Sequence, residues 1–205
     1  KVLVRSRNIP EAIAGVLAAF RYGAIPVWAN TLLKEEEVAY IVDNSEARFA
    51  ITMAELAEPL RILQADGALD CIVILDGPGQ GEGEHAYADL AADGGDKVIA
   101  DTKAMDPAFM LYSSGTTGRP KGILHAHRWI VTVGDPSLLQ TEYTMEDRVL
   151  TPGEFSFMGT FAHAFLFPLY AGASIALYSQ RATPEAAFEA VNRLEATIMM
   201  SVPTM

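Results

Sequence analysis

The sequence predicts an α/β fold: a mainly parallel sheet flanked by helices. Three observations predict it. Strand-like and helix-like stretches alternate at short spacing from the first residue, as in successive strand–helix–strand units. The strand-like runs are continuously apolar, as a sheet buried on both faces requires. Half of the 205 residues are hydrophobic, enough for a sizeable core and too many for wholesale disorder.

The elements follow in chain order. Lys1–Val4 reads as a strand. Pro10–Tyr22 is a helix, with Ile13, Val16, Leu17 and Phe20 spaced along one face and Gly23 as its stop. Ala24–Trp28 is a short apolar strand. Thr31 and the acidic run Glu35–Glu37 mark the start of the next helix, because carboxylates favour the positive end of the helix dipole. Val38, Ile41 and Val42 form its buried stripe. Ala47–Thr52 is a strand, Ala54–Gln64 a helix and Cys71–Leu75 a strand.

Gly77–Asp96 is rich in Gly, Asp and Glu and reads as an exposed connection, with a short helix near His85–Leu90. Ala108–Tyr112 is an apolar strand, expected at the centre of the sheet and leading into a Gly/Ser/Thr loop, Tyr112–Gly122. Arg148–Leu150 and Ser174–Tyr178 are strands. Phe161–Tyr170 suits a buried helix and Ala171-Gly172-Ala173 a turn. Thr183 followed by Pro184 caps a last helix, with Phe188, Val191 and Leu194 as its stripe. Thr197–Val202 closes the pattern as a strand. No domain boundary is visible within the chain.

Composition narrows the function classes. The formal net charge is -11, and an acidic surface repels nucleic acid and anionic membranes. From Phe155 to Gln180 no residue is charged, long enough to span a bilayer. That stretch contains Gly159, His163, Pro168, Gly172 and Ser174, and its pattern changes midway, so buried core elements are expected in place of a membrane span. The single cysteine, Cys71, excludes an internal disulfide and suits a reducing compartment, here the cytoplasm. It opens an apolar run and reads as a buried structural thiol. The chain starts at Lys1 within a strand and closes soon after another, so both ends read as cut from a longer protein.

The informative segment is Tyr112-Ser113-Ser114-Gly115-Thr116-Thr117-Gly118-Arg119-Pro120-Lys121-Gly122. Three glycines let backbone N–H groups approach an anion closely. Ser113, Ser114, Thr116 and Thr117 add hydroxyl donors, and Arg119 and Lys121 add positive charge. In so acidic a chain, a polyphosphate would be welcome here. The P-loop pattern G-x-x-x-x-G-K-[ST] is not met, because Arg119 and Pro120 precede Lys121 and Gly122 stands where Ser or Thr would hold magnesium. His125 and His127 could share a strand face, but no third ligand lies close by in sequence, so no metal site is expected.

The eleven-residue segment resembles the signature of the adenylate-forming superfamily, which includes acyl-CoA synthetases, aryl-CoA ligases, luciferases and peptide-synthetase adenylation domains. Phe20-Arg21-Tyr22-Gly23-Ala24-Ile25-Pro26-Val27, Asp43-Asn44-Ser45-Glu46-Ala47-Arg48 and Pro168-Leu169-Tyr170-Ala171-Gly172-Ala173 are also similar to the family. Leu124-His125-Ala126-His127 resembles its CoA-forming branches, and within them the ligases for aryl or short- and medium-chain acids.

The resemblance implies that residues 1–205 are part of the large N-terminal domain, with the C-terminal domain absent. It implies ATP, Mg2+ and coenzyme A, the last as co-substrate, and a carboxylic acid activated through acyl-AMP to acyl-CoA. It places Ser113, Ser114, Gly115, Thr116, Thr117, Gly118 and Lys121 around the β- and γ-phosphates, with Lys121 and Thr117 acting in adenylation. It places the acid pocket at Phe157, Met158 and Gly159, with Phe157 where relatives often carry a histidine, and His163 as a wall residue. Nothing near His163 in sequence forms an acid–base pair. By the same resemblance the adenine-binding motifs and the catalytic lysine lie beyond Met205, so the isolated chain is expected to be inactive. Two alternatives stay open: a phosphate-binding module without turnover, and an adenylating enzyme that passes its acyl group to a carrier-protein thiol.

Overall fold

The computed structural model describes residues 1–95, 98–113, 118–133, 142–180 and 183–201. They form two compact units. The first combines Lys1–Ser6 with Pro10–His127, and the second combines Arg7–Ile9 with the chain from Arg128 onward. No helix among the described residues is long and apolar enough to cross a membrane.

The first unit is a helix-flanked sheet. Its strands are β1 (Val2–Arg5), β2 (Pro26–Trp28), β3 (Phe49–Thr52), β4 (Cys71–Ile74), β5 (Glu84–Ala86), β6 (Pro107–Ser113) and β7 (Lys121–Ala126). Their order is β5-β4-β3-β1-β2-β6-β7, and every pair is parallel except β6 with β7. The chain leaves β1 for β2 through α1 (Pro10–Arg21). It then returns past β1 to β3 through α2 (Glu35–Ser45), and reaches β4 through α3 (Glu58–Ala65). Side chains alternate between the two faces of each strand. Leu3, Val27, Ala50, Ile72 and Ile74 therefore meet Val38, Ile41, Val42 and Leu60 in one continuous core. On α1, a side chain at Gly15 would come within 3.0 Å of Ile51, so this helix packs tightly against β3.

Several expectations shift here. β6 is the penultimate strand, not a central one; β1 takes the centre. The helix expected over Ala54–Gln64 divides into a 3-10 turn, Ala54–Leu56, and α3, with Pro59 in the first turn of α3. The connection near His85 contributes both a strand, β5, and the helix Tyr87–Asp93. The buried residues of α1 are Ala12, Val16 and Ala19, while Leu17 is exposed.

Arg5, at the carboxyl end of β1, is buried. Its guanidinium donates to the carbonyls of Thr31, Leu33 and Leu56. One cation thus ties down the loop that follows β2 and the turn that follows β3. At the far edge, the carboxylate of Glu84 is buried and receives Arg61 Nε at 2.6 Å and the Gln80 N–H at 2.8 Å.

The second unit carries a parallel three-stranded sheet, β10 (Ile198–Met199), β8 (Arg148–Leu150) and β9 (Ser174–Ala176), with β8 in the middle. Met158–Ala171 is helical throughout. Ala162–Leu166 within it is a wider π turn, immediately before Pro168. Proline lacks the N–H that an α ladder needs, and the wider turn falls where that ladder is interrupted. The helix Pro184–Arg193 is capped by Thr183, whose Oγ1 accepts from the Ala186 N–H. Of the expected stripe, Leu194 packs against the core and Val191 is half-buried, but Phe188 is not part of it. Ala187 and Ala190 face the core and Phe188 is exposed, because the small alanines let the helix lie close to the sheet.

Candidate functional site

Ser113 ends β6 at the carboxyl edge of the parallel strands, where ligands of open α/β sheets bind. Lys121 begins β7, and the two residues stand opposite each other across the antiparallel pair, with Tyr112 opposite Gly122. β6 and β7 are thus antiparallel neighbours, and the returning arm opens inside the stretch expected as a loop. Lys121 and Gly122 belong to that arm. Ser114, Gly115, Thr116 and Thr117 lie outside the described residues.

Gly118 has φ +150, a backbone region that side chains disfavour. Gly122 answers a different demand. A Cβ there would lie 2.9 Å from Met110 Sδ and 3.1 Å from the Tyr112 ring, so the ring occupies the space a side chain would need. Burial, together with the neighbouring Tyr40 phenol, pushes the Tyr112 hydroxyl up to about 12. It is a neutral donor at physiological pH and donates to Asn44 Oδ1 at 2.7 Å.

Arg119 does not simply add charge to the anion loop. Its guanidinium lies 5.1 Å from the centre of the Tyr40 ring, and the Tyr40 hydroxyl donates to the Pro120 carbonyl at 3.1 Å. Residues 118–120 and α2 border an open cleft of about 680 Å3, also lined by Glu36, Glu37 and Asp43. Those carboxylates would repel a polyphosphate. Lys121 is exposed and pairs with no acid among the described residues, which leaves its charge for a ligand.

His125 and His127 do not share a strand face. His125 lies in β7 and stacks on Phe109 at 4.6 Å between centres. His127 opens the helix His127–Thr132 and meets Phe20 edge-on at 6.3 Å. Burial holds His125 below its ordinary pKa, so it is an apolar-stacked, neutral ring. Among the described residues, no group of three His, Cys, Asp or Glu could hold a metal. Cys71 is half-buried, and desolvation with nearby Asp70 pushes its thiol up.

In the second unit, Phe157 caps the helix that starts at Met158. Phe157 and Gly159 face solvent, while Phe155, two residues earlier, is buried against Phe161 and Phe165. His163 falls within the π turn and is half-buried. Its Nδ1 lies 3.0 Å from the Tyr143 hydroxyl, and its ring meets Phe167 edge-on at 4.9 Å. A polar partner therefore does exist, twenty residues upstream, where sequence adjacency could not reveal it. Burial lowers the His163 pKa and raises that of Tyr143, so both are neutral near pH 7.

One residue of this region is given no site role by the sequence. Asn8 is buried, donates through Nδ2 to the Gly153 carbonyl at 2.7 Å and accepts from the Phe155 N–H at 3.1 Å. Its amide clasps both sides of the turn that leads into Phe157-Met158-Gly159. Asparagine suits this because one planar group carries a donor and an acceptor side by side.

The AMP-binding enzyme family matches residues 1–205. The benzoate–CoA ligase of Thauera aromatica is 34% identical over 193 residues, covering 92% of this chain and 36% of the relative. The 3-hydroxybenzoate–CoA ligase of Aromatoleum sp. (strain CIB) is 30% identical over 209 residues, covering 100% of this chain and 39% of the relative. Among solved structures, the anthranilate CoA ligase AuaEII in complex with anthranoyl-AMP superposes with a TM-score of 0.86 at 28% identity. That superposition covers 97% of this chain and 39% of that one. The chain thus spans well under half the length of the relatives it matches.

Proposed function

The chain belongs to the AMP-binding enzyme family, and we propose on that premise that the full-length protein activates an aromatic carboxylic acid with ATP and transfers it to coenzyme A. A carboxylate is a poor electrophile. Its oxygen attacks the α-phosphorus of ATP, the bond to the β-phosphate oxygen breaks, and acyl-AMP and pyrophosphate form. The thiolate of CoA then attacks the acyl carbon, and AMP leaves with the electron pair of the anhydride bond.

The first step builds negative charge on the departing pyrophosphate, so catalysis there is positioning and electrostatic work. Ser113, Ser114, Gly115, Thr116, Thr117 and Gly118 would grip the β- and γ-phosphates, with Lys121 neutralising the charge that develops. Mg2+ would enter with ATP on the nucleotide's own phosphate oxygens, as it does in many nucleotide sites. Phe157, Met158, Gly159 and His163 would line the acid pocket. An apolar phenylalanine near the acid and a neutral His163 suit a flat aromatic ring. The single cysteine supports a reducing, cytoplasmic setting.

The observation that carries this reading is the pairing of Lys121 opposite Ser113 at the carboxyl edge of a parallel sheet, with Lys121 unengaged by any described acid. The test is ATP–pyrophosphate exchange by the full-length protein over a panel of aromatic and aliphatic acids, followed by acceptor assays with CoA. Exchange that depends on an aromatic acid, with CoA as acceptor, is the expected result. No exchange with any acid would overturn the reading.

A further inference from the structure

The end of β6 and the residues just ahead of β7 are tied to one helix. Tyr40 and Asn44 are four residues apart on α2, one turn along the same face. Tyr40 makes two contacts just ahead of the return arm, through its hydroxyl to the Pro120 carbonyl and through its ring to Arg119. Asn44 binds the outgoing arm by accepting from Tyr112, whose ring lies over Gly122. These contacts fall on Tyr112, next to Ser113, and on Arg119 and Pro120, next to Lys121.

The helix itself is held by its buried face and at both ends. Val38 and Ile41 are fully buried and Val42 nearly so, all in the core beneath the sheet. Its first turn is closed by Glu37, whose carboxylate accepts from the Lys34 N–H at 2.8 Å. Its last turn ends at Glu46, in the left-handed conformation, whose N–H bonds back to Asp43. Arg5 pins the loop that delivers the chain into α2. Contacts therefore run from the central strand through α2 to Tyr112 and to Arg119 and Pro120.

We propose that Tyr40 and Asn44 are positioning residues, which set the reach of Ser113 and Lys121 toward the phosphates of ATP. The inference rests on the adenylation reading above. A loop with three glycines gains most from such anchoring, because each residue held in place lowers the ordering cost that nucleotide binding must otherwise meet. The effect belongs to the first half-reaction alone, since pyrophosphate has departed before CoA attacks.

The test uses the full-length protein with Tyr40→Phe, Asn44→Ala and the pair combined. Tyr40→Phe keeps the ring for Arg119 and removes only the hydroxyl. Each single change should lower pyrophosphate exchange at limiting ATP by about threefold, and the pair by about tenfold, as expected for neutral hydrogen bonds. Thioester formation from supplied acyl-AMP and the melting temperature should stay near wild type. Asn44→Asp retains an acceptor for Tyr112 and should restore exchange relative to Asn44→Ala. Wild-type exchange in the combined variant, or equal loss in both half-reactions, would overturn the inference. Absence of exchange in the unmodified protein would instead overturn the underlying adenylation reading.

Discussion

Lys121 stands opposite Ser113 across β6 and β7, and its role follows from charge rather than shape. On the proposed adenylation reading, Lys121→Ala removes a cation where charge would build on the leaving pyrophosphate. Losing a charge-assisted contact costs about 1.5–3 kcal/mol, which is roughly ten- to a hundredfold in the adenylation rate. Thr117→Val, judged from sequence since Thr117 lies outside the described residues, keeps the shape and removes one hydroxyl, costing about 0.5–1.5 kcal/mol. Thioester formation from supplied acyl-AMP should be unaffected by either change. Rates of the two half-reactions in each variant check this, and equal loss in both would point to general damage. Gly122→Ala acts indirectly. Its methyl would collide with Met110 and Tyr112, displacing the phenol from Asn44, so it should slow adenylation without touching a charged group.

Among the elements, the turn at Gly153–Phe155 depends on Asn8. Asn8→Ala leaves the Gly153 carbonyl and the buried Phe155 N–H without that partner, a loss of about 1–3 kcal/mol for a buried group left unmet. Asn8→Asp should be at least as damaging, because a carboxylate keeps the acceptor for Phe155 but turns a second oxygen toward the Gly153 carbonyl. If this turn presents the acid pocket, both variants should raise the KM for the carboxylic acid more than the KM for ATP. Thermal melts and separate KM measurements decide it; an unchanged melting temperature in both variants would contradict the clasp. The helix Pro184–Arg193 teaches a related lesson. Counting large apolar side chains selected Phe188, whereas the core selected Ala187 and Ala190.

For the whole molecule, acid should destabilise in two stages. Burial depresses the folded pKa of His125 and His163, so their neutral forms are favoured when folded. The unfolded chain then binds more protons, and stability falls as pH drops through about 6.5, the ordinary histidine value. The second stage belongs to carboxylates. Arg61, donating to Glu84, holds that carboxyl below its ordinary range. Its contribution is fully present above the unfolded glutamate pKa of about 4.3 and is lost as pH falls through the lower folded value. Melting temperatures from pH 7.5 to 3 should fall gently at first and steeply below about 4.5. Glu84→Gln should lower stability at pH 7 by about 1.5–3 kcal/mol, the value of a hydrogen bond to a charged group. It should also flatten the acid limb, and an unaltered limb would remove Glu84 from the account.

The sequence by itself determined the α/β class, the positions of most strands and helices, and, through its Gly/Ser/Thr segment, the family. These are local properties: apolar runs, helical spacing, and eleven adjacent residues whose chemistry is readable in order. Only the tertiary structure decided that β6 lies next to the edge, that Lys121 and Gly122 form a return strand, and that the chain divides into two units near His127. It also decided the partners that act at a distance: Asn8 with Gly153, Tyr143 with His163, and Tyr40 and Asn44 with Pro120 and Tyr112. These side-chain pairings join residues separated by 20 to 145 positions. A single asparagine or tyrosine looks the same in sequence whether it meets solvent or clasps a turn, because its partner is chosen by how the chain folds back on itself.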